Sequence, residues 1–149
     1  MMTEAEFRFK HSELIESYQY VEFRLKGIVS VLLCGEEKSW FKLLDDCDND
    51  PLGILISKLT HCQKTETYFG DDDIENLHRL KDRRNYWCHK CFTAIGIRVS
   101  FSSKTRELKQ NKLGKTLTDD LREAKECEEK LTEAFRRISE EVKLVDSLF

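Results

Sequence analysis

Proline and glycine are scarce in this chain of 149 residues, which contains one proline and six glycines. Collagen-like repeats, sandwiches of short strands and disordered chains are rich in these two residues, so their scarcity argues against all three classes. Both residues also interrupt regular helices, so their scarcity favours helical structure. No apolar run approaches the roughly 20 residues that a membrane-spanning helix needs. The opening MMTEAEFRFK also lacks a signal-peptide core. We therefore expect a soluble cytoplasmic protein without membrane association.

The motifs of several common enzyme classes are missing as well. The chain contains no P-loop, GxGxxG, GxSxG or HExxH. Nothing therefore indicates nucleoside triphosphate hydrolysis, dehydrogenase or serine hydrolase chemistry. What is present is a composition typical of helices, with 36% charged and 40% hydrophobic residues and a net charge of −3. Composition and length together predict one all-α domain over residues 1–149.

Two long apolar stripes at helical spacing predict the architecture. Thr3 and Glu6 have the spacing of a capping box, so a first helix is predicted to begin there and to end near Cys34 and Gly35. Its stripe comprises Leu14, Tyr18, Val21, Leu25, Ile28 and Leu32. A C-terminal helix carries Leu117, Leu121, Ala124, Leu131, Phe135, Ile138, Val142 and Val145. These two long amphipathic helices, with shorter ones between them, predict a four-to-five-helix up-and-down bundle.

The shorter helices have their own start signals. Asp50 before Pro51 is predicted to cap one of them. Asp71–Asp73 are predicted to open another, because carboxylates favour the positive end of the helix dipole. Residues 37–44 have the pattern of a helical turn or two, and residues 97–103 have that of an extended segment.

The helix after Asp73 contains the string LHRLKDRRNYWCHKCF. At about 100° per residue, one side of this helix carries Asp82, Asn85, Tyr86 and His89, and the opposite side carries Leu77, Leu80, Trp87, Cys88 and Cys91. Arg84 falls near the apolar side, where a charge costs stability unless it is paired or reaches a polar cleft.

Arg84, Asn85 and His89 form the pattern R-N-x-x-x-H. This pattern resembles the catalytic motif of the HEPN superfamily (higher eukaryotes and prokaryotes nucleotide-binding domain), whose members are helical bundles and include ribonucleases of toxin–antitoxin and antiphage defence systems. Arg83 also satisfies the looser spacing of the motif, so the sequence leaves open which arginine has the family role. The resemblance implies a metal-independent endoribonuclease and a homodimer whose two motifs meet across a cleft. It also implies a restraining antitoxin or regulatory partner.

These residue types suit RNA cleavage by the substrate's own 2′-hydroxyl. A histidine titrates near neutrality and serves as general acid or base, which is the part expected of His89. An arginine offers a permanent charge and fixed donors to the phosphate. Asn85, one turn before His89, is expected to orient the imidazole or contact phosphate, and Tyr86 is a candidate for stacking on a base. This chemistry requires no metal and no other cofactor.

A second signal is the distribution of charge. Residues 98–115 contain six basic residues and one acid, whereas residues 119–146 contain ten acids and six basic residues. We expect a basic loop after the motif helix that contacts the RNA backbone through Lys104, Arg106, Lys109 and Lys112. A solvated loop that only keeps the protein in solution is the alternative.

Two other interpretations of the chain stay open. A non-catalytic helical dimerisation or interaction module that regulates a partner needs only the amphipathic helices. A small zinc protein would use Cys88 and Cys91, the one CxxC among six cysteines, but a structural zinc site usually takes a second ligand pair. The sequence favours reduced thiols that pack as small apolar residues.

Overall fold

The computed structural model describes residues 2–33, 40–91 and 103–141. Within these ranges every regular element is helical. The α-helices are α1 (Glu4–Leu33), α2 (Trp40–Cys47), α3 (Leu52–His61), α4 (Thr65–Tyr68), α5 (Asp71–Asn85) and α6 (Ser103–Glu141). A π-helical turn, Tyr86–Lys90, continues α5. The predicted all-α class is confirmed, and none of the helices in the described ranges is long and apolar enough to cross a membrane.

The first and last helices pack along each other and run parallel. Lys10 donates to Thr118, Lys125 lies 3.8 Å from Glu13, and Gly27 faces Phe135. α5 runs antiparallel to α6, because Arg79 pairs with Glu123 and Arg83 with Asp120.

The core forms where the predicted stripes meet. All six residues of the α1 stripe are buried, and so are the α6 residues Leu117, Leu121, Ala124, Leu131 and Ile138. Phe135 is partly buried beside them, and Cys127 continues the stripe where Glu128 interrupts it. Val142 and Val145 lie outside the described residues. Because both stripes pack against each other within one chain, they are not available as an exposed apolar surface.

Two predicted helix starts are confirmed and one is wrong. α5 begins at Asp71, with all three carboxylates of Asp71–Asp73 in its first turn. The Thr3 backbone donates to Glu6 Oε2 at 2.7 Å and the Glu6 backbone donates to Thr3 Oγ1 at 3.1 Å, which is a complete capping box. Asp50 does not cap α3. Pro51 takes that position, and the Asp50 carboxylate pairs instead with Lys58 in the second turn of the helix.

The predicted basic loop is also wrong, because α6 begins at Ser103 and is already helical at Lys104, Arg106, Lys109 and Lys112. No helix breaker separates these residues from the apolar stripe apart from Gly114, which is buried in the helix under Met2. Of the residues predicted to be extended, 97–102 lie outside the described ranges, and Ser103 is helical. Residues 37–39 of the predicted short helix lie outside as well, and α2 begins at Trp40.

Candidate active site

His89 lies in the π-helical turn at the end of α5. The Cys91 backbone donates to the Tyr86 carbonyl, five residues back, so the turn is wider than an α-helical one. Such turns occur frequently at functional sites. The wider turn also changes which residues face the core. Trp87 and Cys91 are buried as expected, but Cys88 is exposed, and its predicted place on the apolar face is wrong.

Trp87 fixes the position of this turn through both its side chain and its backbone carbonyl. Its indole Nε1 donates to Asp120 Oδ2 at 2.6 Å, and its backbone carbonyl lies 2.9 Å from His11 Nε2, which donates to it. The Cys91 thiol donates to the same carbonyl at 3.2 Å. α1 and α6 therefore both hold the turn through one buried tryptophan.

The two adjacent arginines have different partners. Arg83 donates through Nε to the buried carboxylate of Asp120 at 2.7 Å, and its guanidinium lies 4.9 Å from the centre of the Tyr86 ring. Arg84 lies 3.6 Å from Glu22 of α1, with 28% of its side chain and 18% of that of Glu22 exposed. Arg83 thus belongs to the packing of α5 on α6, whereas Arg84 lies near the surface and its ion pair with Glu22 is long.

Asn85 and His89 are exposed one turn apart, as the motif predicts. Neither side chain has a hydrogen bond or an ion pair with the part of the chain that the structure describes. The imidazole and the amide therefore both face solvent, where a substrate can reach them.

Tyr86 is less suited to base stacking than the sequence indicates. Its ring packs edge-on against Trp87 with centroids 5.1 Å apart, and the Arg83 guanidinium lies over it. Burial raises the pKa of its hydroxyl. The ring is therefore largely engaged inside the protein.

The π-helical turn and the basic beginning of α6 lie at the same end of the bundle. His11 contacts Trp87, its neighbour Lys10 contacts Thr118, and Met2 contacts Gly114. Residues 103–113 of α6 extend beyond this level, away from the acidic half of the helix. Of the four predicted RNA-binding basic residues, Lys112 has an exposed side chain; the side chains of the other three lie outside the described part.

Described residues line surface depressions near this region. One has a volume of about 660 Å³, lies between α5 and α6, and includes Arg83 and Asp120. Another has a volume of about 810 Å³ and runs along α1 from His11 to Phe23. In neither region, nor elsewhere in the described ranges, do three or more His, Cys, Asp or Glu side chains converge as they would around a metal ion.

Sequence reasoning missed three residues that contact the motif helix. Glu22, Asp120 and His11 lie far from it in sequence, and each of them is joined to it by a contact between helices. A signal existed only for Asp120, an acid on the buried side of a predicted amphipathic helix.

Comparisons of the chain with protein-family models, with curated proteins and with solved structures give no match.

Proposed function

We propose that the protein is a metal-independent endoribonuclease of the HEPN type, acting as a toxin or in antiphage or stress defence. The observation that supports this most is the placement of two features at one end of the bundle. The exposed Asn85 ends α5 there, the exposed His89 lies in the π-helical turn that follows, and the basic beginning of α6 lies at the same end. A histidine for proton transfer and a region of positive charge for the phosphate backbone are the two requirements of this chemistry.

In the proposed reaction the 2′-hydroxyl of RNA attacks the adjacent phosphorus and the bond to the 5′-oxygen breaks. His89 accepts the proton of the attacking hydroxyl or donates one to the leaving oxygen. Arg84 leaves Glu22 to hold the charge of the five-coordinate phosphate, since its contact with that carboxylate is long and partly exposed. Asn85 assists at the phosphate or at the imidazole. The products are a 2′,3′-cyclic phosphate and a 5′-hydroxyl.

Arg84 is the arginine we assign to phosphate, because Arg83 is committed to the buried Asp120. We also propose that two copies meet across the Asn85–His89 face, so that one imidazole acts as base and the other as acid. Since the long apolar stripes are buried inside each chain, they are not free to form the dimer contact, and we assign that contact to this face. A monomer in light scattering at micromolar concentration would contradict the dimer.

The ribonuclease assignment is tested by incubating purified protein with mixed RNA in the presence of EDTA. We expect cleavage to persist and its products to carry 2′,3′-cyclic phosphates. His89→Ala is expected to lower the rate by roughly 10²- to 10⁴-fold, as the loss of a general acid or base does. Cys88→Ser is the matched control, since Cys88 is an exposed neighbour in the same π-helical turn, and it should keep wild-type activity. Full activity of His89→Ala would refute the assignment.

One observation favours a second function, a non-catalytic interaction module. Phe9, Tyr20 and Phe23 of α1 and Ile54 of α3 are exposed apolar side chains of the kind that protein partners cover. A purified protein without nuclease activity, but with a stable complex that Phe9→Ala and Phe23→Ala both weaken, would support this alternative.

A further inference from the structure

α1 carries aromatic side chains on the side that faces away from the core. Tyr20 is 47% exposed and Phe23 is 60% exposed, although large aromatic rings gain much from leaving water. Residues three apart are neighbours on a helix surface, so these two residues lie on the same side of α1. They line the groove of about 810 Å³ along α1, together with Ser12, Ile15, Glu16 and Gln19.

This groove lies next to Trp87 in the π-helical turn and next to the contact of α1 with Arg84, the arginine that we assign to phosphate. It begins at His11, whose imidazole donates to the Trp87 carbonyl in the π-helical turn. It ends at Phe23, the neighbour of Glu22, which contacts Arg84. Between these two points α1 rises by about 18 Å. The groove therefore spans both places at which α1 holds the motif helix.

The polar side chains of the groove suit a base rather than a phosphate. The exposed carboxylate of Glu16 repels phosphate, but it accepts hydrogen bonds from an amino group such as N4 of cytosine. The exposed amide of Gln19 both donates and accepts. Aromatic rings stack on bases of any sequence. A strand whose phosphate lies at Arg84 would thus turn its bases, and not its backbone, toward α1.

We propose that this groove binds unpaired bases of single-stranded RNA next to the cleaved phosphate. Tyr20 and Phe23 stack on the bases, and Glu16 and Gln19 favour cytosine over uracil. The inference rests on the proposed ribonuclease function and extends it to the class of substrate and its base preference.

The test measures binding apart from cleavage. Fluorescence anisotropy is recorded with short labelled 2′-O-methyl oligocytidylate and oligouridylate, which lack the free 2′-hydroxyl and are not cut. We expect Tyr20→Ala and Phe23→Ala each to weaken binding by about 5- to 100-fold, the range found when one stacking aromatic is removed. Phe9→Ala is the matched control, because Phe9 is a 67% exposed aromatic on the same side of α1 but does not line the groove. It should leave the affinity unchanged.

The base preference has its own variant. Glu16→Gln should bring the affinities for oligocytidylate and oligouridylate closer together, whereas Glu4→Gln, at an exposed acid outside the groove, should not. A wild-type preference for uracil, or one that Glu16→Gln does not change, would overturn the assignment of Glu16.

The outcomes separate this inference from the proposed function. Three results would overturn the assignment of the groove to RNA bases, even if EDTA-resistant cleavage requires His89. They are unchanged binding by Phe23→Ala, equal losses of affinity in Phe9→Ala and Phe23→Ala, and no binding by the wild type. A Phe23→Ala variant that binds RNA normally but changes the oligomeric state would show that protein covers these rings, which also overturns it. Binding that depends on Phe23 in a protein without nuclease activity would confirm the groove and refute the ribonuclease.

Discussion

Neighbouring residues in this protein have different roles, and Arg83 and Arg84 are the clearest case. The guanidinium of Arg83 neutralises the buried carboxylate of Asp120, which also accepts a hydrogen bond from the Trp87 indole N–H. The guanidinium of Arg84 contacts Glu22 at 3.6 Å near the surface. Spacing alone leaves either arginine eligible for the motif, because the choice depends on an acid that lies far away in the chain.

We expect alanine substitutions to separate these two roles. Arg83→Ala leaves the Asp120 charge buried without its ion-pair partner, so it should lower the free energy of unfolding by about 3 kcal/mol. Arg84→Ala should change it by about 1 kcal/mol or less, because the pair is long and partly exposed. Urea denaturation measures both, and Arg84→Ala should abolish RNA cleavage while the fold remains. Equal destabilisation by the two substitutions would contradict the assignment.

The buried hydroxyl of Tyr18 makes the stability of the folded protein depend on pH at high pH. Burial, and secondarily the Asp120 charge, raises the pKa of its hydroxyl above the usual value near 10. Above that pH the unfolded chain releases a proton that the folded chain retains, so stability should fall as pH rises. Tyr18→Phe removes this contribution. Urea denaturation between about pH 9.5 and 11 should show a shallower decline in stability for the variant. Parallel pH profiles for the two proteins would contradict the prediction.

At the scale of elements, what the sequence predicted well is local. The capping box of Thr3 and Glu6 lies within one turn, and the α1 and α6 stripes follow from periodicity alone. The π-helical turn was not predicted, because a pattern at about 100° per residue presumes α-helical bonds. Contacts of Trp87 with Asp120 and His11, which no local pattern encodes, accompany the wider turn. Cys88 was misplaced for the same reason.

The packing of α1 on α6 leaves less room for a side chain at Gly27 than at Gly114. A Cβ on Gly114 would lie 3.4 Å from the flexible end of Met2, whereas one on Gly27 would lie 3.1 Å from Cε2 of the Phe135 ring. Gly114→Ala should therefore gain helix propensity and raise the free energy of unfolding by about 0.5–1 kcal/mol. Gly27→Ala should lower it by about 1 kcal/mol, since crowding between the helices outweighs the same gain. Urea denaturation of the two variants in parallel checks both signs, and stabilisation by Gly27→Ala would mean that Phe135 moves aside freely.

At the scale of the whole molecule, charge is divided along one helix. α6 has 39 residues, basic at its beginning and acidic from Asp119 onward, and at about 1.5 Å per residue the centres of the two regions lie roughly 30 Å apart. The sequence predicted this asymmetry but assigned the basic part to a loop. A helix fixes the spacing of its charges, so the beginning of α6 is a more rigid surface for a phosphate backbone than a loop would be.

RNA affinity should therefore depend on salt mainly through the beginning of α6. We expect joint replacement of Lys104, Arg106, Lys109 and Lys112 by alanine to weaken RNA binding and to flatten its log–log salt dependence. The slope should fall by roughly 0.7 for each phosphate of a single strand that the variant no longer neutralises. The matched control replaces four exposed basic residues in the acidic half, Arg122, Lys125, Lys130 and Arg136, and should leave the slope unchanged because acids surround them. Circular dichroism verifies that both variants remain helical. If the two variants flatten the slope equally, RNA does not distinguish the ends of α6, and the basic end has no special part in binding.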